Sequence, residues 1–97
     1  MPLYVGLAKW TDQGIKSVKD ATTRWEQGRA AFEQAGGRVI GIWWTQGQYD
    51  AVVVSEWPDD ESASAATLAF AMAGNVRSET LRAFTTEEMQ RILQRLP

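Results

Sequence analysis

The sequence predicts a single α+β domain in which a four-stranded sheet carries helices on one of its faces. Four short segments have the alternating or continuously apolar character of strands, and helical spacing of apolar residues occupies segments between and after them. Glycine or proline stands at most of the changes between these patterns. At 97 residues the chain is long enough for one core only, so residues 1–97 are expected to form one domain.

The first strand and the first long helix occupy the beginning of the chain. Leu3 to Trp10 is mostly apolar on both faces, which is typical of a strand that is covered on both sides. Residues 11–19 combine turn and helix signals and predict no definite element. From Asp20, a plausible N-cap, apolar residues recur at helical spacing until Gly36 and Gly37 end the helix.

A hairpin and an alanine-rich helix follow. Arg38 to Thr45 and Tyr49 to Trp57 are the second and third strands, and the short connection between them predicts an antiparallel pair. A proline ends the third strand, and Asp59 or Asp60 is expected to cap the next helix. That helix covers about Glu61 to Ala73, and its predicted buried stripe consists of Thr67, Phe70 and Ala71.

The fourth strand, Val76 to Phe84, leads into a terminal helix. Thr85 and Glu88 have the spacing of a capping box. The helix after them has an apolar stripe formed by Met89, Ile92, Leu93 and Leu96. The resulting order, β-α-β-β-α-β with an added C-terminal helix, is that of a ferredoxin-like sandwich.

One face of such a sheet has no helices, and the composition of the strands predicts that a partner covers it. The residues that are unfavourable to leave in water are Trp10, Trp43 or Trp44, Leu81 and the valines of the third strand. An exposed apolar patch of more than a few hundred Å² usually marks an interface. We therefore expect a homo-oligomer, most simply a dimer whose two sheets pack face to face.

Residue types that are absent exclude several classes of site. The chain has no cysteine and no histidine, which removes disulfides, thiolate nucleophiles, Ser-His-Asp triads and metal sites built on either residue. The net charge of −2 comes without a basic stripe, so nucleic acid is not an expected partner. The first residues do not resemble a signal peptide, and no apolar run is long enough to span a membrane. We expect a cytoplasmic protein without a cofactor.

Tryptophan is unusually frequent for so short a chain. The five residues are Trp10, Trp25, Trp43, Trp44 and Trp57. Each brings a large apolar area and an indole N–H that needs a partner. Two interpretations stay open: rings that fill a core and a subunit interface, or rings that line a ligand pocket. On the second interpretation Trp10, Trp43 and Trp44 are candidate ligand-binding residues.

Three stretches make the sequence resemble a known family. Gly47, Gln48, Tyr49 and Asp50, where the hairpin turn passes into the third strand, are similar to the motif that names the GYD family. Residues 11–15 and 74–84 are similar to that family as well, so the resemblance covers nearly the whole chain. It implies a ferredoxin-like subunit in a dimeric α+β barrel, and it implies no particular reaction, cofactor or partner.

Asp50 and Tyr49 are the candidate catalytic residues. Burial without a partner would raise the pKa of the Asp50 carboxyl, which is one way in which a general base is made. A turn cap or an ion pair with Arg77 or Arg82 is the structural alternative. Tyr49 offers a phenol that can donate a proton or orient a ligand, and its alternative role is packing on the hairpin.

Arg77 and Glu79 share one face of the fourth strand and are candidate ligand-binding residues. Arg77 could bind a carboxylate with two hydrogen bonds, and an inter-subunit salt bridge is the alternative. The densest acidic run, Asp59, Asp60 and Glu61, fits helix capping and the helix dipole better than the spacing of a calcium loop. No metal site is expected.

Three functions are compatible with the sequence. The first is an oligomer that binds a small apolar or aromatic molecule between its sheet and its helices. The second is a cofactor-independent oxygenase, isomerase or lyase, with Asp50 as base and with Tyr49 or Arg77 stabilising an oxyanion. The third is a structural or regulatory oligomer without a ligand. The sequence alone does not decide whether the protein is an enzyme.

Overall fold

The computed structural model describes all residues, 1–97, and confirms the predicted α+β class. The strands are β1 (Leu3–Trp10), β2 (Arg38–Trp44), β3 (Ala51–Glu56) and β4 (Val76–Ala83). The helices are α1 (Asp12–Lys16), α2 (Ala21–Gln34), α3 (Asp60–Met72) and α4 (Thr86–Leu93), and a 3₁₀ turn, Val18–Asp20, joins α1 to α2. No helix is long and apolar enough to cross a lipid bilayer.

The four strands form one antiparallel sheet in the order β2-β3-β1-β4. Residues that lie opposite one another in neighbouring antiparallel strands share a face, so the register assigns each side chain to one of two faces. The open face consists of Leu3, Val5, Leu7, Trp43, Val52, Val54 and Leu81 with several charged residues. The helix face consists of Tyr4, Gly6, Ala8, Trp10, Val39, Ile42, Trp44, Ala51, Val53, Ser55, Val76, Ser78, Thr80 and Arg82.

A β-bulge interrupts the edge strand β2. Val39 lies opposite Ser55, and Gly41 already lies opposite Val54, so Ile40 is the extra residue. Its side chain is exposed. A bulge of this kind bends the strand and increases its local twist.

Short side chains cap three of the four helices. At α1, the Gly14 N–H donates to Thr11 Oγ1 at 3.0 Å, and at α3 the Ser62 N–H donates to Asp59 Oδ1 at 2.8 Å. The predicted capping box of α4 is present in both directions. The prediction for α2 was wrong in part: Asp20 precedes the helix, but its side chain makes no capping hydrogen bond. The 3₁₀ turn already joins this residue to Ser17 through the backbone.

The buried core lies at the end of the sheet where β1 begins and β3 ends. It consists of Tyr4, Trp57, Ala63 and Ala66, with Phe32 packed against them. Trp57 has the lowest exposure in this core, 2%. Its indole N–H donates to Ser55 Oγ at 3.0 Å, so the buried donor is satisfied. Toward the opposite end of the sheet, the helix face combines small residues with two tryptophans: Gly6, Ala8, Ala51 and Ser78 with Trp10 and Trp44.

Candidate functional site

A cleft separates the helix face of the sheet from α2 and α3. Its volume is about 840 Å³, and 19 of the 29 residues that line it are hydrophobic. Cavities that bind drug-sized ligands have about 300–1,000 Å³ and a mostly apolar lining. The cleft therefore has the size and the surface of a small-molecule site.

Small residues on both walls create this space. The sheet contributes Gly6, Ala8, Ala51 and Ser78, and the helices contribute Ala21, Ala31, Ala65, Ala66, Ala69 and Ala73. At Gly6 an added Cβ would have no neighbour closer than 3.8 Å, so there is room above the backbone here. The alanines that give α3 its high helix propensity thus also leave space in the cleft, because their side chains are short.

Aromatic rings line the part of the cleft next to the core. Phe32 is central, with ring centroids 5.4 Å from Trp57, 5.8 Å from Phe70 and 6.0 Å from Trp25. Trp25 and Phe70 are themselves 6.4 Å apart. These are edge-to-face or tilted arrangements, the geometry that aromatic pairs prefer. A flat ligand ring would find matching surfaces along this wall.

The three tryptophans predicted to bind a ligand do not lie on one face. Trp10 and Trp44 belong to the helix face and line the cleft. Trp43 belongs to the open face, where it is 55% exposed and its ring lies against Gly41. The expectation that Trp10 lies on the uncovered face was wrong. A strand that is apolar on both sides gives no signal of which side meets the helices.

Arg24 is the one charged residue among those that line the cleft. Its Nη1 donates to the backbone oxygen of Ser17 at 2.8 Å and to Ser17 Oγ at 3.0 Å. Its Nη2 is shielded from solvent and has no hydrogen-bond partner. An arginine near the start of a helix has no feature in the sequence that separates it from a solvated one.

Asp50 has a structural contact. Its Oδ2 accepts a hydrogen bond from the Trp10 N–H at 2.8 Å, and its backbone N–H donates to Ala8 O at 2.8 Å. The residue therefore ties the end of the β2–β3 hairpin to the end of β1. Asp50 does not line the cleft, and no ion pair joins it to Arg77 or Arg82.

Tyr49 contacts Glu79 instead of Asp50. Its hydroxyl lies 3.2 Å from both carboxylate oxygens of Glu79, and Lys9 Nζ lies 5.3 Å from the centre of its ring. Burial, and then the hydrogen bond to Glu79, raise the pKa of Tyr49 above its ordinary value of 10.0. Arg77 and Glu79 share the open face but form no ion pair. These predicted site residues thus lie on the side of the sheet opposite the cleft.

A second, smaller cavity of about 250 Å³ lies beside α3. The Tyr4 hydroxyl donates to Asp60 Oδ1 there, and this hydrogen bond, followed by burial, raises the pKa of Tyr4. Arg82 lies 5.7 Å from the Tyr4 ring centre. Two residues of the acidic run thus have structural contacts. Asp60 accepts from Tyr4, and Asp59 caps α3, where hydrogen bonds from Ser62 lower the pKa of the Asp59 carboxyl. No three acidic side chains converge as a metal site would require.

Comparison with known proteins yields a family and a structural neighbour. The family model described as GYD domain matches residues 4–93. No curated protein matches the chain. The crystal structure of TTHA0845 from Thermus thermophilus is similar, with a TM-score of 0.57 and 20% sequence identity over 89% of this chain and 96% of that one. At this level of identity the likeness supports the fold.

Proposed function

Since the chain belongs to the GYD domain family, which fixes its fold and assigns it no reaction, we propose that it is a homo-oligomeric domain that binds a small apolar or aromatic molecule. The cleft between the helix face and the two long helices is the binding site. The observation that carries the proposal is an apolar space of about 840 Å³ bordered by six aromatic rings. Those rings belong to Trp10, Trp25, Phe32, Trp44, Trp57 and Phe70.

Binding to the cleft can be tested with N-phenyl-1-naphthylamine, a neutral aromatic dye whose fluorescence rises in apolar surroundings. Gly6→Leu places a side chain in the cleft at a position where the backbone leaves room for one. We expect this variant to bind the dye about tenfold more weakly than the wild type, because the side chain occupies the ligand's space. Fluorescence titration measures the dissociation constants.

Ala30→Leu is the matched control, because Ala30 lies on the exposed side of α2 and does not line the cleft. It adds a similar apolar side chain and is expected to leave dye binding unchanged. A wild type that does not bind the dye would favour the third function, an oligomer without a ligand. Equal binding by Gly6→Leu and wild type would place the dye elsewhere on the molecule.

The oligomeric part of the proposal rests on the open face. Trp43 and Leu81 are about half exposed there, beside a row of leucines and valines from β1 and β3. Charges of both signs surround these residues, with Lys9, Arg77 and Glu79 on the same face. A second copy related by a twofold axis offers the same apolar centre and can pair opposite charges. We therefore propose that the partner on this face is another copy of the chain.

The enzymatic alternative stays a prediction. It requires Asp50 and Tyr49 to act on one substrate, and each side chain instead has a separate contact within the chain. No observation favours catalysis over binding. Should turnover of any compound be detected, Asp50→Asn is the variant that tests the proposed base, and it is expected to abolish turnover while the assembly persists.

A further inference from the structure

We propose that the ligand of the cleft is a planar aromatic carboxylate whose negative group binds to the guanidinium of Arg24. This inference rests on the proposed function and specifies the chemical class of the ligand. It is carried by an unpaired positive charge at an otherwise uncharged site. The apolar surfaces would hold the ring system, and the arginine would fix its orientation.

The charge balance of the cleft points to an anion. Arg24 is the only charged residue in the lining, and none of the chain's three ion pairs includes it. An ionised group next to apolar surface is unfavourable unless it is paired and hydrogen-bonded. A ligand carboxylate would supply the negative charge that the protein does not provide.

The hydrogen bonds of Arg24 leave a donor free for that carboxylate. Ser17 accepts hydrogen bonds only from Nη1 of Arg24, and Nη2 of Arg24 has no acceptor. A guanidinium presents its N–H groups in a planar fork that matches a carboxylate. The side chain as a whole is partly exposed although Nη2 is shielded. Arg24 lines the cleft, so Nη2 is the donor that remains for a ligand there.

The charged residue and the central aromatic residue of the site lie at different positions along α2. Arg24 and Phe32 are both in α2, eight residues apart, which corresponds to about 12 Å along the helix. Phe70 lies against Gly28, midway between them along the helix, and the Trp25 ring contacts both Phe70 and Phe32. A ligand with its carboxylate at Arg24 would extend its ring system toward Phe32. An aromatic acid fits this arrangement better than an aliphatic one, because four rings form the wall.

The inference is tested with two probes of nearly equal shape, 2-naphthoate and 2-naphthamide. At pH 7 the first carries a negative charge and the second is neutral. We expect the wild type to bind 2-naphthoate about tenfold to a hundredfold more tightly, since hydrogen bonds to charged groups are the stronger ones. Isothermal titration calorimetry of the intact protein measures both dissociation constants. Octanoate, an aliphatic carboxylate, is expected to bind less tightly than 2-naphthoate.

Two variants assign the preference to Arg24. Arg24→Gln is expected to bring the affinity for 2-naphthoate to within about twofold of that for 2-naphthamide, which should itself change little. Arg29→Gln removes the same charge from an exposed position on α2 that pairs with Glu33, and it should leave the preference intact. Equal losses in both variants would overturn the inference, because a general charge effect would then explain the preference.

The outcomes separate this inference from the proposed function. A wild type that binds 2-naphthamide as tightly as 2-naphthoate overturns the role of Arg24 and leaves the apolar site intact. A wild type that binds neither naphthalene compound nor the neutral dye overturns the proposed function and the inference with it. Octanoate binding as tight as that of 2-naphthoate overturns the aromatic part. If Arg24→Gln does not fold, the comparison of probes on the wild type still decides the outcome.

Discussion

Gly28 is the residue of α2 against which the Phe70 ring of α3 lies. A Cβ built on it would lie 2.2 Å from Cε2 of Phe70, well inside the distance of any real contact. The sequence shows this glycine only as an unfavourable residue in a helix, with a cost of up to about 1 kcal/mol relative to alanine. The structure supplies the compensation, because the missing side chain lets the Phe70 ring join the aromatic wall of the cleft.

We predict that Gly28→Ala lowers the free energy of unfolding, although alanine is the better helix former. Overpacking typically costs about 1–3 kcal/mol, and the gain in helix propensity offsets about 1 kcal/mol of that. A net loss of about 1 kcal/mol, and at most about 2 kcal/mol, is expected in urea unfolding at fixed protein concentration. Glu26→Ala, on the exposed side of the same helix, is the control. Equal or higher stability of Gly28→Ala would contradict the close packing.

The contrast between Gly28 and Arg24 shows what the sequence reveals about single residues. A glycine inside a helix is unfavourable by helix propensity, so its presence suggests that a neighbouring group packs closely against the helix backbone. An arginine on a helix is ordinary, and only the absence of a partner in three dimensions distinguishes Arg24. The candidates chosen from the sequence, Asp50 and Tyr49, were chosen by motif. The structure gives each of them a contact that needs no ligand.

At the scale of elements, α4 depends on its capping box. The Thr85 N–H donates to Glu88 Oε1 at 3.0 Å, and the Glu88 N–H donates to Thr85 Oγ1 at 3.1 Å. The backbone hydrogen bond from Thr85 is the main reason why the pKa of Glu88 lies below its ordinary value of 4.5. Several apolar residues of this helix, including Met89 and Leu93, are exposed. The cap therefore matters more here than in a helix that is held by packing.

We predict that the helicity of α4 falls at acid pH because Glu88 loses its charge. A group whose pKa is lowered by folding stabilises the folded form above its unfolded pKa, and this contribution is lost as the pH falls through the lower folded value. The Cα chemical shifts of α4 should therefore move toward coil values as the pH is lowered below about 4.5. Glu88→Gln should largely remove this dependence. Glu87→Gln, in the same turn, should retain it, and loss of the transition in both variants would contradict the assignment to Glu88.

Local signals predict the bounds of β1 and α3 closely, but β3 begins two residues later than predicted, and residues 11–19 form α1 and the 3₁₀ turn. The faces of the elements do not follow from such signals. β1 begins and ends where the alternation predicts, and α3 is capped by one of the two expected aspartates. The stripe predicted for α3 was less accurate, since Ala63 and Ala66 are the buried residues while Phe70 is partly exposed. Alanines on all sides of a helix carry no period. Their burial is decided by where the neighbouring rings lie.

For the whole molecule, the sheet has one face under helices and one without cover. Trp43 and Leu81, on the two edge strands, are about half exposed on the second face. The layer architecture was predictable from the order of elements alone. The distribution of the tryptophans between the two faces was not, because it depends on the register of β2 with β3.

We predict that Leu81→Glu prevents the self-association proposed for the open face. In a twofold assembly each copy would place a carboxylate in the apolar centre of the interface, and the dissociation constant should rise about a hundredfold or more. Sedimentation velocity over a range of protein concentrations measures the change. Leu68→Glu is the control, because Leu68 is 61% exposed on α3 and lies outside the open face.

A wild type that sediments as a monomer at every concentration would contradict the oligomeric part of the proposal. A Leu68→Glu variant that dissociates as readily as Leu81→Glu would place the interface on the helices instead. Both outcomes leave the cleft untouched, since neither residue lines it.

The bulge at Ile40 affects whether further strands can add to the edge of the sheet. β2 is an edge strand, and an unbroken edge can accept a strand from another molecule, which can in turn accept a further one. The extra residue disturbs the regular row of donors and acceptors that such growth needs. A twofold contact through the sheet face, by contrast, would bury that face on both copies and leave none of it for a third copy. The bulge thereby makes β2 a poor template for the addition of a further strand.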